Sequence, residues 1–231
     1  MTDARPARVP LELPNRDVGR RSVRRAVINY IKDLIFDGQL RAGDRVPQDD
    51  VARALNVSNT PVREALIALE HEGLVTIELH RGAFVNPLDL DGVRTVYELY
   101  GLVFGWAIRR VMDRGAAPEM LDQLRDIERR TKTADPAEFF DLMTEFTLLL
   151  QHYTGSREWV RIIDSLQRIV PRSSFYETVP GSLEGAREAF GPLVKAIERG
   201  DIDKAVAAVE LWNQRQGDAL IKELQRRDLI A

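Results

Sequence analysis

Apolar residues recur along the chain in a few distinct rhythms, and the rhythms change at glycine or proline. Val23, Val27, Ile28, Ile31, Leu34 and Ile35 keep the i, i+3, i+4 spacing of a helix, and Gly38 stops it. The loop "RAGDRVP" (41–47) leads to a short helix at about 48–55 with Val51, Ala52 and Leu55 inward. Asn56 suits the left-handed position that closes such a helix, and "NVS" (56–58) is a tight turn. From Pro61 the pattern is helical again, with Val62, Leu66, Leu69 and Leu74 inward and Glu64, Glu70 and Glu72 outward, up to Gly73. "LVTIEL" alternates and carries β-branched residues, "HRG" (80–82) is a turn, and "AFV" pairs back as a second strand. Helix, helix–turn–helix, then hairpin is the order of a winged helix–turn–helix domain.

Beyond the linker "VNPLDLDG" (85–92) every segment reads as helix. Val93, Val96, Tyr100, Val103, Ala107 and Val111 form one stripe, up to Gly115. Pro118 opens a second helix through about Thr131, Asp135 caps a third over 135–155, and Ser156 caps a fourth to about Val170. Residues 171–184, with Pro171, Pro180 and Gly181, read as irregular. A fifth helix spans about 185–199. The last starts at Asp201, with Ile202, Val206, Val209, Trp212, Gln216, Leu220 and Leu224 at helical spacing. The expected fold is mainly α: a winged helix–turn–helix over 19–87, then an all-α antiparallel bundle of about six helices over 88–231. Residues 1–18, with three prolines and no period, read as a flexible basic arm.

The stretch "NVSNTPVREALIALEHEGLV" (56–75) places small polar residues at the start of a helix. Ser58 or Thr60 can cap its free amides, and Pro61 is tolerated in a first turn. The same N–H groups and short hydroxyls suit a phosphate or the floor of the DNA major groove. Arg63, one turn in, can reach a phosphate. A well-capped packing helix would look similar. The hairpin, with His80, Arg81 and Gly82 at its tip, and the basic arm favour DNA.

Charge supports that balance without deciding it. The 231 residues carry a net charge of −3, yet residues 1–25 hold seven arginines against three acidic side chains. Arg20, Arg24 and Arg53 therefore join Ser58, Asn59, Thr60, Pro61, Arg63, His80, Arg81 and Gly82 as candidate DNA contacts. Zero cysteines exclude a disulfide framework and thiolate metal sites. No apolar run approaches the ~20 residues that cross a bilayer, and no secretory signal opens the chain. A cytoplasmic protein is expected.

Residues 38–85 resemble the DNA-binding domain of the GntR family of bacterial transcription regulators, and "VSNTPVREAL" (57–66) is close to that family's signature. Asn59 stands where the family usually has arginine, and Asp49 where many members have arginine or glutamate. The family's arginine-to-guanine contact is therefore not carried over, and asparagine pairs more naturally with adenine. "ELY" (98–100), "FTLLLQHYTGSREW" (146–159) and "PLVKAIERGDIDKAVAAV" (192–209) resemble the effector-binding and dimerisation domain of the FadR/VanR branch. The resemblance implies a ligand-responsive repressor that binds a near-palindromic double-stranded operator as a homodimer.

Most of that branch holds a metal with one aspartate and three histidines. Laid on the pattern, those positions are Met143, Thr147, Phe190 and Trp212, and an arginine common in the first bundle helix falls near Val103. None of the four is a usual ligand for such an ion, and of the three histidines only His152 lies in the bundle. No metal or cofactor is expected. Val103, Phe104, Trp106, Met143, Phe146, Phe190 and Trp212 instead form either a filled core or a pocket for an apolar or acyl-type effector. Thr147 borders it, and Arg172, Ser173 and Tyr176 could add polar groups. The pair Asp141 and Glu145 reads as solvated rather than catalytic. A helical protein–protein adaptor built on a winged-helix fold is the alternative from another class, as is a regulator whose bundle only dimerises. No constellation for catalysis stands out.

Overall fold

The computed structural model describes residues 18–166 and 175–230. The expected arm at 1–17 lies outside the described residues. Three helices, α1 (Val18–Phe36), α2 (Gln48–Ala54) and α3 (Asn59–His71), precede the antiparallel hairpin of β1 (Val75–Glu78) and β2 (Gly82–Val85). Val27, Ile31, Val51, Val62, Leu66 and Leu69, which the periodicity turns inward, form their shared core together with Val75 and Val85 of the hairpin, while Ile28, Leu34 and Leu55 are only partly buried against it. Asn56 is left-handed at φ 52°. Lys32 and Glu72 form a buried ion pair at 2.7 Å that ties α1 to the end of α3.

The hairpin is fixed to α3 by polar contacts. The Ile77 N–H donates to Glu70 Oε1 at 2.7 Å. Asn86 donates from Nδ2 to the Gly73 carbonyl at 2.8 Å and accepts from the Thr76 hydroxyl at 2.8 Å. The winged helix–turn–helix is therefore one unit with a set angle between helix and wing.

The second part holds α4 (Leu90–Asp113), α5 (Pro118–Thr131), α6 (Pro136–Thr154), α7 (Arg157–Leu166), α8 (Phe175–Thr178), α9 (Ser182–Glu198) and α10 (Ile202–Arg226). Asp89 accepts from the Asp91 and Gly92 amides at the start of α4. Asp135 and Glu138 form a capping box on α6, and Ser156 Oγ accepts from the Trp159 amide. The sequence had read 171–184 as irregular and counted six helices. The part of that stretch that is described instead contains the one-turn α8 and the start of α9, making seven. Buried Ser182 donates to the Phe175 carbonyl, a contact between chain segments that no local pattern encodes. Among the described residues no helix is long and apolar enough to cross a membrane.

Helices α4 and α10 lie side by side and approach closely where α4 or α10 carries glycine. A Cβ on Gly101 would sit 3.0 Å from the Glu210 Cα, and one on Gly217 would sit 2.9 Å from the Tyr97 Cβ. Near the end of α10, buried Glu223 accepts from Arg226 and Arg227 at 2.6–2.7 Å. These hydrogen bonds, chiefly that of Arg226, hold its carboxyl down at about 2. Arg227 then reaches into the first domain: it donates to the Phe36 carbonyl at 3.0 Å and to Asp37 at 3.1 Å, and its guanidinium stacks on the Phe36 ring.

Replacing Gly101 or Gly217 by valine therefore forces the two helices apart and is expected to lower stability by about 1–3 kcal/mol, the usual cost of overpacking. Gly185, in α9 with nothing within 4 Å of its would-be Cβ, should instead gain roughly 1 kcal/mol as alanine. Chemical denaturation of the three variants checks the contrast. A neutral Gly217→Val would refute the close packing.

Candidate functional site

Two places concentrate the candidate residues: the start of α3 with the wing, and a cavity in the bundle. Ser58 takes the N-cap position of α3 in extended conformation, but no side chain caps the helix. The expected hydroxyl cap from Ser58 or Thr60 is absent. Ser58, Asn59, Thr60 and Arg63 are all exposed and Pro61 is half-buried, so the first-turn amides face outward beside short polar side chains. Asn59 Nδ2 donates to Asp49 Oδ1 at 3.0 Å. This holds its amide in one orientation and joins the start of α2 to that of α3.

At the wing tip His80 is left-handed at φ 61° and Gly82 has φ 112°. That φ at 82 favours glycine, whose site lies against the Arg45 side chain: a Cβ there would sit 2.7 Å from the Arg45 Nε, which would have to shift. Exposed Arg81 pairs with Glu78 and lies 5.5 Å over the Phe84 ring. Arg24 is exposed on α1, and Arg53 is exposed on α2 and paired with Asp50 at 2.8 Å. The Arg20 side chain lies outside the described residues. Arg45 is a basic group that the sequence reading missed. It sat in a stretch read only as a loop, and nothing local signals that it packs under the wing.

In the bundle, a cavity of about 160 Å³ is lined by residues of α4, α6, α7, α8 and α10, among them Tyr97, Tyr100, Phe104, Met143, Thr147 and Trp212. Met143, Thr147 and Trp212 were expected there, and Tyr176 also lines it. Three expectations need correction. Trp106 is 44% exposed and faces outward with the Arg110 guanidinium 5.3 Å from its ring, because its position on α4 falls away from the bundle axis. Phe190 is fully buried behind the wall, edge-on to Phe146 at 5.2 Å and to Trp212 at 5.8 Å. Val103 packs on the core and offers its carbonyl to Trp159 Nε1 at 2.9 Å. Arg172 and Ser173 lie outside the described residues. Gln216 and Asn213, which line the cavity, were missed as wall residues. Helical spacing puts Gln216 in the stripe of the last helix but does not tell a core position from a cavity wall. Asp141 and Glu145 are exposed, and Glu145 pairs with Arg130 at 3.0 Å.

Residues 23–85 match the family of bacterial regulatory proteins described as the gntR family, and residues 95–212 match the FCD domain. The chain belongs to the gntR family. An HTH-type transcriptional regulator of Mycobacterium tuberculosis is 31% identical over 206 residues, which span 88% of this chain and 83% of that protein. Two solved structures share the fold. Escherichia coli McbR/YncC does so with a TM-score of 0.61 at 19% identity, covering 88% of this chain and 98% of that one. A GntR family regulator from Pseudomonas syringae pv. tomato does so at 0.52 and 23%, covering 94% and 90%. This gntR-family chain is a DNA-binding transcription regulator.

The metal expected for much of the FadR/VanR branch does not fit this regulator. Its four corresponding side chains are a thioether, a hydroxyl, a phenyl ring and an indole. The Thr147 hydroxyl already donates to the Met143 carbonyl at 2.8 Å. Neither a phenyl ring nor an indole N–H offers a lone pair to a cation.

For DNA, Arg63→Ala is expected to weaken binding to specific and random duplexes alike and to reduce the salt slope by about one, as loss of a phosphate contact does. Asn59→Arg should leave affinity for random duplex nearly intact and change the preferred bases. Titrations at several salt concentrations, on specific and random duplexes, check both. An Arg63→Ala loss confined to the specific site would contradict the phosphate role.

Proposed function

We propose that the protein is a ligand-released repressor in the cytoplasm, binding a near-palindromic operator as a homodimer through α3 and the wing. The observation that carries this is the exposed, side-chain-uncapped start of α3, with Ser58, Asn59, Thr60 and Arg63 displayed beside a wing held at a fixed angle. One recognition helix offers few base contacts, and a two-fold axis doubles them.

The bundle supports the dimer. Leu99, Leu102 and Trp106 are exposed at i, i+3 and i+7 on α4, and Leu211 is exposed on α10, one residue beyond the Glu210 backbone that Gly101 meets. An apolar row of this kind on a helix face can pair with its own copy across a two-fold axis. The effector role rests on connection: α4 and α10 line the cavity, α4 follows the wing directly, and α10 ends at the grip of Arg227 on Phe36. A ligand that favours one arrangement of these helices would shift DNA affinity, by ~1–3 kcal/mol in typical coupling. The edge-on contacts of Phe146, Phe190 and Trp212 favour a second reading, in which the bundle is a packed core that only dimerises.

Sedimentation at micromolar concentration should give twice the 26.2 kDa chain mass. Leu102→Glu should give monomer and lose most operator affinity while leaving the fold intact by circular dichroism. A 26.2 kDa species with and without DNA would overturn the dimer.

A further inference from the structure

In a helix–turn–helix the first helix crosses the phosphate backbone and the second lays its N-terminal residues on base edges. Here the first of the two is α2, and its opening residues Asp49 and Asp50 are both acidic and exposed. Carboxylates in such a place work against the binding of a polyanion. Asp50 is answered within its own helix by Arg53 at 2.8 Å. Asp49 instead accepts from Asn59 Nδ2 at 3.0 Å, across ten residues of sequence.

The chemistry of that pair fixes which way the Asn59 amide lies. An aspartate carboxylate only accepts, whereas a carboxamide has two N–H donors on one side and an acceptor oxygen on the other. Asn59 can therefore meet Asp49 only through Nδ2, because turning the amide over would set Oδ1 against a carboxylate oxygen. One N–H is committed to Asp49, which leaves the second N–H and Oδ1 for another partner. Both ends of the bond sit on fixed backbone: left-handed Asn56 turns the chain between α2 and α3, and Val51, Val62 and Leu66 of the two helices are buried in one core.

Asn59 is the first residue of α3 and is exposed, as are Ser58 and Thr60 beside it. A donor and an acceptor side by side match the major-groove edge of adenine, whose N7 accepts and whose N6 amino group donates. Guanine presents two acceptors, N7 and O6, in the same groove. A free asparagine can turn its amino group toward them, whereas a tied one keeps its oxygen there, acceptor against acceptor.

We propose that Asp49 is a positioning residue for base reading: it locks the Asn59 carboxamide in the orientation that pairs with adenine and rejects guanine. This rests on reading α3 as the recognition helix, and it assigns the specificity to the pair rather than to Asn59 alone.

The test uses the full-length protein and duplexes that it selects from a random pool. At the base position where Asn59→Ala loses its preference, the wild type should favour adenine over guanine. Asp49→Ala should lower that preference roughly tenfold, the discrimination that one bidentate pair provides, with no loss of affinity for random duplex. In an Asn59→Ala background the same substitution should leave base preference unchanged, a coupling that the double-mutant cycle reads. Replacing the adenine by 7-deazaadenine, which lacks the N7 acceptor, should weaken wild-type binding and leave Asn59→Ala unaffected, an arm that needs no Asp49 variant. Additive effects of the two substitutions overturn the positioning role. So does a cytosine preference that Asp49→Ala removes in both backgrounds, since Asp49 would then read a base itself. Equal losses on selected and random duplexes would make Asp49 a support of the fold and overturn it as well. If Asn59→Ala changes no base preference while Arg63→Ala weakens binding, the adenine assignment fails and α3 stands as the DNA-binding helix. Failure of the wild type to bind any duplex sinks the reading of α3 itself.

Discussion

The close approach of α4 and α10 is the constraint on which the rest of the structure depends. Glycine at 101, 105 and 217 lets two helices of 24 and 25 residues approach closely, Gly101 against the Glu210 backbone, Gly105 against the Val206 side chain and Gly217 against that of Tyr97. A helix of that length spans about 36 Å, so the pair runs the length of the bundle. Where the residues are larger, at Tyr97, Tyr100, Phe104, Trp212 and Gln216, the helices give one side of the cavity wall instead. The same pairing therefore makes the core continuous in one place and leaves room in another.

Both helices lead to the DNA-binding domain. Helix α4 starts at the Asp89 cap, four residues after β2 ends. Helix α10 ends where Glu223 holds Arg227, which in turn holds Phe36 and Asp37 at the end of α1. The buried Glu223 carboxylate has two guanidinium partners, and without them it would be an uncompensated buried charge. The junction is thus a structural requirement that joins the end of α10 to α1, whose core residues Val27 and Ile31 pack with those of α3.

Much of this was legible in the sequence because it follows from local periodicity. The stripes Val27–Ile31–Ile35 and Val209–Trp212–Gln216–Leu220 bury as their spacing requires. The hairpin and the caps at Asp135, Ser156 and Asp201 stand where the turn and cap residues put them. What escaped was set by contacts distant in sequence. Trp106 is as apolar as Trp212, yet only the three-dimensional course of α4 turns it to solvent with Arg110 on its face. Arg45 lies in a loop whose sequence says nothing of Gly82, 37 residues later. The tie between Asn59 and Asp49 joins two departures from the family pattern, each of which looked independent in one dimension. Gln216 falls in the stripe of the last helix by its spacing, which does not say that it borders a cavity.

The central claim is that α3 and its wing read DNA in pairs. Selection of bound duplexes from a random pool by the full-length protein tests it most directly. The account predicts enrichment of an inverted repeat whose half-sites are spaced by about 10 bp, or a multiple of that helical turn. Recovery of the starting pool unchanged, at a salt concentration where non-specific binding is already lost, would contradict it.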